Sequence, residues 1–145
     1  MNRTRTSLPG SYDGRVAFQI SGIDHIVLNC ADIDATAAWY QRALGVQVET
    51  YGAGRTALVF GSQKINLRPV GADGWETATS ETPGALDICF ETDATVAEIL
   101  ATWQAAEIAV QEGPVQRNGA RGPITSIYTL DPDGNLVEVA HYSRP

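Results

Sequence analysis

The sequence predicts an α+β fold made of two modules, each a strand, a helix and three further strands. Two observations carry this. Ile23-Asp24-His25-Ile26-Val27-Leu28 is followed by a helical stretch ending in Trp39-Tyr40-Gln41-Arg42-Ala43-Leu44-Gly45, then by short strands closing at Lys64-Ile65-Asn66-Leu67-Arg68. Leu86-Asp87-Ile88-Cys89-Phe90 opens the same order again, closing at Asn135-Leu136-Val137-Glu138-Val139. Superimposing the halves sets His25 on Asp87 and Asn66 on Glu138, so four polar, ligand-capable side chains fall at matching points of four strands. A module of this kind leaves one face of its sheet bare, so the two must pair to close a core. The organisation expected is an N-terminal arm over 1–20 and one domain over 21–145. Within that domain, module one covers 22–70, a linker 71–84 and module two 85–142.

The arm carries Pro9-Gly10 and Asp13-Gly14 and few apolar side chains, with 16–20 as a candidate short strand. The first strand alternates over 23–30. Ile26, Leu28 and Cys30 share one face, suited to a helix-covered core; His25, Val27 and Asn29 share the other, suited to a cupped site. Asp32 is placed to cap the next helix, Asp34 complements its dipole, and Gly45 suits a left-handed C-cap. Ile33, Ala37, Tyr40 and Leu44 recur at helical spacing and are expected to face the sheet. Strands follow over 46–51, 56–60 and 64–68, separated by Gly52-Ala53-Gly54 and Gly61-Ser62-Gln63.

Residues 71–84 break all periodicity and read as the connector. Trp75 within them either packs back on the body or lines a partner surface or site. The second module opens with a strand over 85–91. Asp93 or Thr95 then caps a helix over 96–107, with Ile99, Leu100 and Trp103 inward. A short extended piece over 110–114 leads to 115–123, read as a polar loop that could close over the mouth of a site. A strand over 124–130, the turn Asp131-Pro132-Asp133-Gly134-Asn135 and a last strand over 136–142 complete the chain.

Composition narrows the function. The chain has 145 residues, 43% hydrophobic and 19% charged, which is enough for one core and typical of a soluble globular protein. No apolar run approaches the roughly 18–20 residues of a membrane span, and the basic start lacks the apolar stretch of a secretory signal. A net charge of −7 argues against a nucleic-acid partner, which requires a basic face. Cys30 and Cys89 sit on strands among apolar neighbours. They are read as small buried hydrophobes with free thiols, a disulfide being unsupported, and this places the chain in a reducing, cytoplasmic compartment.

The pieces Ile23-Asp24-His25-Ile26-Val27, Trp39-Tyr40 with Leu44-Gly45, and Asp131-Pro132-Asp133-Gly134-Asn135-Leu136-Val137-Glu138-Val139 give the chain its resemblance to a known family. It resembles the vicinal oxygen chelate superfamily of glyoxalases, bleomycin-binding proteins and extradiol dioxygenases, over about residues 22–142. Within it the chain looks most like small glyoxalase-domain proteins, through Gly113-Pro114-Val115, Gly122-Pro123-Ile124 and Ser126-Ile127-Tyr128. The resemblance implies paired βαβββ modules whose strands curl into a cupped, partly open barrel-like sheet, with one divalent metal ion on the cup floor. Carried onto this sequence, the metal ligands are His25 and Glu138. Asp87 stands where these proteins usually place a second histidine. Asn66 stands where glyoxalases place Glu or Gln.

A lone histidine on a half-buried face is usually just hydrogen-bonded, but His25, Asp87 and Glu138 occupy equivalent positions opposite the helices. Two carboxylates meeting in a cup are costly without a cation; the rival arrangement is one protonated carboxyl bonded to the other. One imidazole and two carboxylates favour Mn²⁺, Mg²⁺ or Fe²⁺, with Zn²⁺, Ni²⁺ and Co²⁺ also compatible. Asn66 is expected to touch substrate rather than metal. An amide cannot take a proton, so true glyoxalase I activity is disfavoured and Glu138 is the candidate base. Arg68 shares the cup face with Asn66. Arg68, Arg117 and Arg121 are candidates for a substrate carboxylate or phosphate, with solvent exposure the alternative for Arg117 and Arg121. Tyr128 either donates to a bound oxyanion or packs. His141 points away from Glu138 and reads as a surface or edge histidine. The function expected is metal-dependent lyase, isomerase or dioxygenase chemistry on a small oxygenated substrate. The alternative is ligand sequestration of the bleomycin-resistance type. The resemblance also implies a homodimer.

Overall fold

The computed structural model describes Gly14 and residues 16–143. The arm expected over 1–20 therefore lies mostly outside the described residues. Residues 16–20 form no strand; Val16, Phe18 and Ile20 are exposed.

Ten elements follow in order: β1 (His25–Cys30), α1 (Ile33–Leu44), β2 (Gln47–Tyr51), β3 (Arg55–Phe60), β4 (Gln63–Pro69), β5 (Asp87–Thr92), α2 (Val96–Ala105), β6 (Glu112–Gly119), β7 (Gly122–Leu130) and β8 (Leu136–Tyr142). The fold is α+β, two βαβββ modules in sequence. They form two open four-stranded sheets, in the orders β1-β4-β3-β2 and β5-β8-β7-β6, rather than one closed barrel. The registers repeat. β1 runs parallel to β4 with Val27 opposite Asn66, and β5 runs parallel to β8 with Cys89 opposite Glu138. Each first-strand residue two positions earlier, His25 or Asp87, is thus equivalent to the other, as the superposition of halves requires.

Local chemistry starts and stops the helices. Asp32 Oδ1 accepts from the Ala35 backbone N–H at 3.0 Å, and Gly45 at φ 66° donates to Gln41 O at 3.0 Å. Thr95, not Asp93, is the N-cap of α2. It forms a reciprocal capping box with Glu98, whose carboxylate accepts from Thr95 N–H at 2.7 Å. That bond holds the Glu98 carboxyl below its ordinary pKa.

One apolar cluster spans both modules, drawing on Leu28 and Cys30 from β1, Tyr40 from α1, Ile65 and Leu67 from β4, Trp103 from α2 and Val137 from β8. Trp103, 1% exposed, donates its indole N–H to Ala43 O at 2.9 Å and so ties the two helices together. Phe90 of β5 meets Phe60 of β3 edge-on at 5.4 Å and Tyr40 at 6.5 Å. α1 turns Thr36, Ala37, Trp39, Tyr40 and Ala43 inward, while Ile33 and Leu44 sit at the edge of its buried stripe.

The polar stretch 115–123 is not a loop. β6 and β7 form a hairpin with Asn118 opposite Pro123 and Gly119 opposite Gly122. β6 is an edge strand whose side chains are mostly solvated, so its pairing rests on backbone bonds and leaves no apolar alternation to read. Gly113 sits at the bulge near its start, with φ 108°. A Cβ there would lie 2.5 Å from Ser126 O, so the strand approaches β7 only because the residue is glycine.

A buried carboxylate pins module two to module one. Asp131, 5% exposed, accepts from Tyr40 Oη at 2.9 Å, Asp133 N at 3.0 Å, Asn135 N at 2.9 Å and Asn135 Nδ2 at 2.7 Å. Burial and this carboxylate push the Tyr40 phenol far above its ordinary pKa, so it remains a donor. Tyr40→Phe should lower the free energy of unfolding by about 1–3 kcal/mol. Asp131→Ala should lower it further, since four donors then lose their acceptor. Urea unfolding of the three proteins measures both effects, and equal stability of Tyr40→Phe and the parent would contradict the assignment.

Candidate functional site

Alternation along the strands gives each sheet a helix-covered face and an opposite face that is open in part; in the first sheet Ala57, Asn66 and Arg68 of that face are buried. The open face of the second sheet carries Asp87, Cys89 and Glu91 on β5 and Glu138 and Ala140 on β8, with Ser126 and Tyr128 on β7. A cleft of about 830 Å³ runs between this face and the His25 end of the first sheet. His25 and Lys64 line it from module one; Cys89, Glu91, Arg121 and Glu138 line it from module two.

His25 stands at the start of β1 with its side chain 46% exposed and Nδ1 2.7 Å from Asp24 Oδ1. A carboxylate only accepts, so Nδ1 carries the proton and Nε2 keeps a free lone pair. Glu138, half-buried, takes a 2.6 Å hydrogen bond from Ser126 Oγ. Tyr128 lies directly opposite Glu138 in the β7–β8 register and its hydroxyl accepts from Arg117 Nε at 3.2 Å. Burial, foremost, raises the Tyr128 phenol above its ordinary pKa; Arg117 opposes the shift and Glu138 adds to it. Tyr128 thus stays protonated beside Glu138, on the neighbouring strand and outside the cleft lining.

The other expected residues lie apart. Asp87 is exposed on the same face as Glu138, one row along, but does not line the cleft. Among the described residues no group of three or more His, Cys, Asp or Glu side chains converges to hold a metal ion. The described donors of one subunit thus do not by themselves complete a metal site. Arg68 is 4% exposed, and its guanidinium binds Glu81 at 2.6 Å, Asn29 Oδ1 at 3.0 Å, Ala72 O at 3.0 Å and Trp75 O at 3.1 Å. Its donors are shared between Asn29 of β1 and the connector, which it clamps onto the first sheet. Asn66 is 7% exposed, outside the cleft lining, and its Oδ1 has no partner.

Arg121 lies at the β6–β7 turn. It pairs with Glu91 at 2.6 Å and stacks 4.4 Å from the Tyr142 ring, at the cleft but largely solvated. Arg117 belongs to β6 and pairs with Glu112 at 3.0 Å. Trp75 packs back on the body beneath Arg55. His141 is half-buried on an internal strand, on the face away from Glu138, rather than at a surface edge.

Two participants escaped the reading of the sequence. Lys64 follows the same alternation that placed Arg68 on the Asn66 face, two residues to the other side. Cys89 is exposed rather than buried, although Cys30 is fully buried; both thiols are free. The Cys89 thiol is pushed up to about 12, first by desolvation and then by the Glu138 carboxylate. A raised pKa leaves little thiolate near neutrality, so alkylation of Cys89 by iodoacetamide at mildly alkaline pH should run roughly tenfold or more below the rate of free cysteine. Glu138→Gln should speed it. Mass spectrometry of timed aliquots reads both rates, and labelling as fast as free cysteine would refute the acid-cluster environment.

The chain matches the Glyoxalase/Bleomycin resistance protein/Dioxygenase superfamily over residues 22–139. It is 40% identical over 136 residues to virulence protein STM3117 of Salmonella typhimurium, covering 94% of each chain. An integron cassette protein from V. cholerae superimposes with TM-score 0.85 at 44% identity, over 88% of this chain and 100% of that one. Lactoylglutathione lyase from Agrobacterium tumefaciens gives TM-score 0.64 at 27% identity, over 84% and 94%. The fold is shared by FosX of Listeria monocytogenes, solved with Mn(II), at TM-score 0.58 and 22% identity over 84% and 90%. With two βαβββ modules in order and a match running from before the first strand into the last, this chain belongs to the glyoxalase/bleomycin resistance protein/dioxygenase superfamily.

Proposed function

We propose that the chain is a divalent-metal-dependent enzyme of the glyoxalase/dioxygenase type, acting as a lyase, isomerase or dioxygenase on a small oxygenated molecule. The observation that carries this reading is that His25 and Glu138, from the first strand of one module and the last strand of the other, face one cleft. His25 offers the lone pair of Nε2, fixed by Asp24. Glu138 offers a carboxylate whose Oε2 is held by Ser126. An imidazole and carboxylates are donors for Mn²⁺, Fe²⁺ or Zn²⁺, and a second carboxylate shifts the preference toward the harder ions. A metal so held would supply Lewis-acid activation of substrate oxygens. The lyase and the Mn(II) of FosX lend the reading support at the level of shared fold.

Asp87 is the third donor in this reading, and it stands one row from Glu138 on an open sheet face. We place the working protein as a homodimer in which a second copy closes over that face and completes the enclosure of the site. Two free thiols fit a reducing compartment, the cytoplasm. A second reading is sequestration of a ligand without chemistry. It draws on one observation, that three donors do not meet among the described residues of one subunit.

Elemental analysis and light scattering test the proposal together. A particle of twice the 15.5 kDa chain mass should carry close to one divalent ion per chain. His25→Ala and Asp87→Ala should each cut metal content about tenfold or more while leaving the chain folded. A monomer that takes up neither Mn²⁺, Fe²⁺ nor Zn²⁺ would defeat the enzyme reading and favour sequestration.

A further inference from the structure

The open face of the first sheet carries polar groups for which the metal reading has no use. Lys64 and Arg55 both lie on it and, among the described residues, neither forms an ion pair. Lys64 Nζ stands 4.0 Å over the Tyr51 ring, and the Arg55 guanidinium stands 4.0 Å over the Trp75 ring. Tyr51 and Arg55 are cross-strand partners on β2 and β3, so the ring that supports Lys64 stands beside the strand position that carries Arg55. Arg68, the third cation of this face, is neutralised by Glu81. Glu49 shares the face and pairs with none of them.

The same face carries two oxygens that the fold leaves unsatisfied. Asn66 Oδ1 and the Tyr51 hydroxyl are buried without a hydrogen-bond partner, and Asn66 as a whole is only 7% exposed. Native interiors rarely leave such groups alone, and two on one face ask for a ligand. The four groups specify its chemistry. Two unpaired cations and a phenolic donor call for a carboxylate. A carbonyl oxygen can only accept, so Asn66 Oδ1 calls for a hydroxyl donor beside it.

We propose that this face binds a small 2-hydroxy acid, with its carboxylate between Lys64 and Arg55, Tyr51 donating to that carboxylate and Asn66 Oδ1 accepting from the hydroxyl. Lys64 is the opposite number of His25 in the β1–β4 register and also lines the cleft, so the far end of such an acid extends toward His25. Lys64 acts as the flap: its flexible stem lifts off Tyr51 to uncover the two oxygens. The proposal deepens the reading given above by naming its substrate class, but the binding step needs no metal.

Calorimetric titration of full-length, chelator-stripped protein with glycolate tests it, with acetate and methyl glycolate as comparison probes. Glycolate should bind, acetate should bind more weakly for want of the hydroxyl, and methyl glycolate should give no heat. Lys64→Gln and Arg55→Gln should each weaken glycolate about tenfold or more, while Arg55→Lys should retain most of the affinity. Asn66→Leu should bring glycolate down to the affinity of acetate and leave acetate unchanged, which a general loss of structure would not do. Circular dichroism confirms that each variant is folded. No heat from glycolate with the folded parent protein, or affinity indifferent to Lys64→Gln and Arg55→Gln, overturns the proposal. Glycolate binding that appears only after Mn²⁺ is restored, and ignores Lys64→Gln, also overturns it while leaving the metal reading standing.

Discussion

The carboxylate of Asp131 sits at the seam between the two modules, 5% exposed, with a donor on each of its four hydrogen bonds. Three of them come from its own turn and shape it; the fourth comes from Tyr40 of α1. A buried charge is tolerated only when its acceptor sites are filled, so the turn and the helix must meet. The same turn reaches further. Asn135 Oδ1 accepts from Leu86 N at 2.9 Å at the start of β5, and Asp133 Oδ2 accepts from Ala31 N at 3.3 Å beyond β1. The ends of the first strands of both modules are thereby fixed relative to β8. The position of Glu138 against His25 follows from that anchoring.

With the seam fixed, the alternation of the strands divides the chemistry. Side chains on the helix-covered faces supply the shared core, where Phe60, Phe90, Tyr40 and Trp103 interlock. The opposite faces carry most of the ionisable groups of the strands, some of them solvated and some, such as Arg68, enclosed. The two cysteines illustrate the division. Cys30 shares its face with Leu28 and is fully buried; Cys89 shares its face with Asp87 and opens onto the cleft. Both thiols are pushed up to about 12, Cys30 chiefly by desolvation and Cys89 by desolvation reinforced by Glu138. Neither environment resembles that of an activated thiolate, which needs nearby positive charge.

Arginines of similar promise in the sequence meet different fates for a related reason. Arg68 lies under the connector and is enclosed by Glu81, Asn29 and two backbone carbonyls, which makes it a structural clamp. Arg55, on the neighbouring strand, stands over the face of Trp75 and, among the described residues, forms no ion pair. Burial with complete hydrogen bonding marks the first as architecture, and cation–π support without an acid partner marks the second as available to a ligand.

The chain by itself determined the two modules, the caps of α1, the parity of β1, β4, β5 and β8 and the turn at Asp131, because each is written in local periodicity or in a side chain bonding its own neighbours. It determined the equivalence of His25 with Asp87 and of Asn66 with Glu138 for the same reason, since register within a sheet follows from alternation. It could not reveal β6, whose exposed edge position leaves no hydrophobic signature. Nor could it decide which equivalent residues meet. Periodicity states which face a side chain occupies, but the relation between two sheets is set by long-range packing such as Trp103 on Ala43 and Tyr40 on Asp131. That packing alone placed Glu138 in the cleft with His25, left Asp87 outside it, and closed the connector over Arg68.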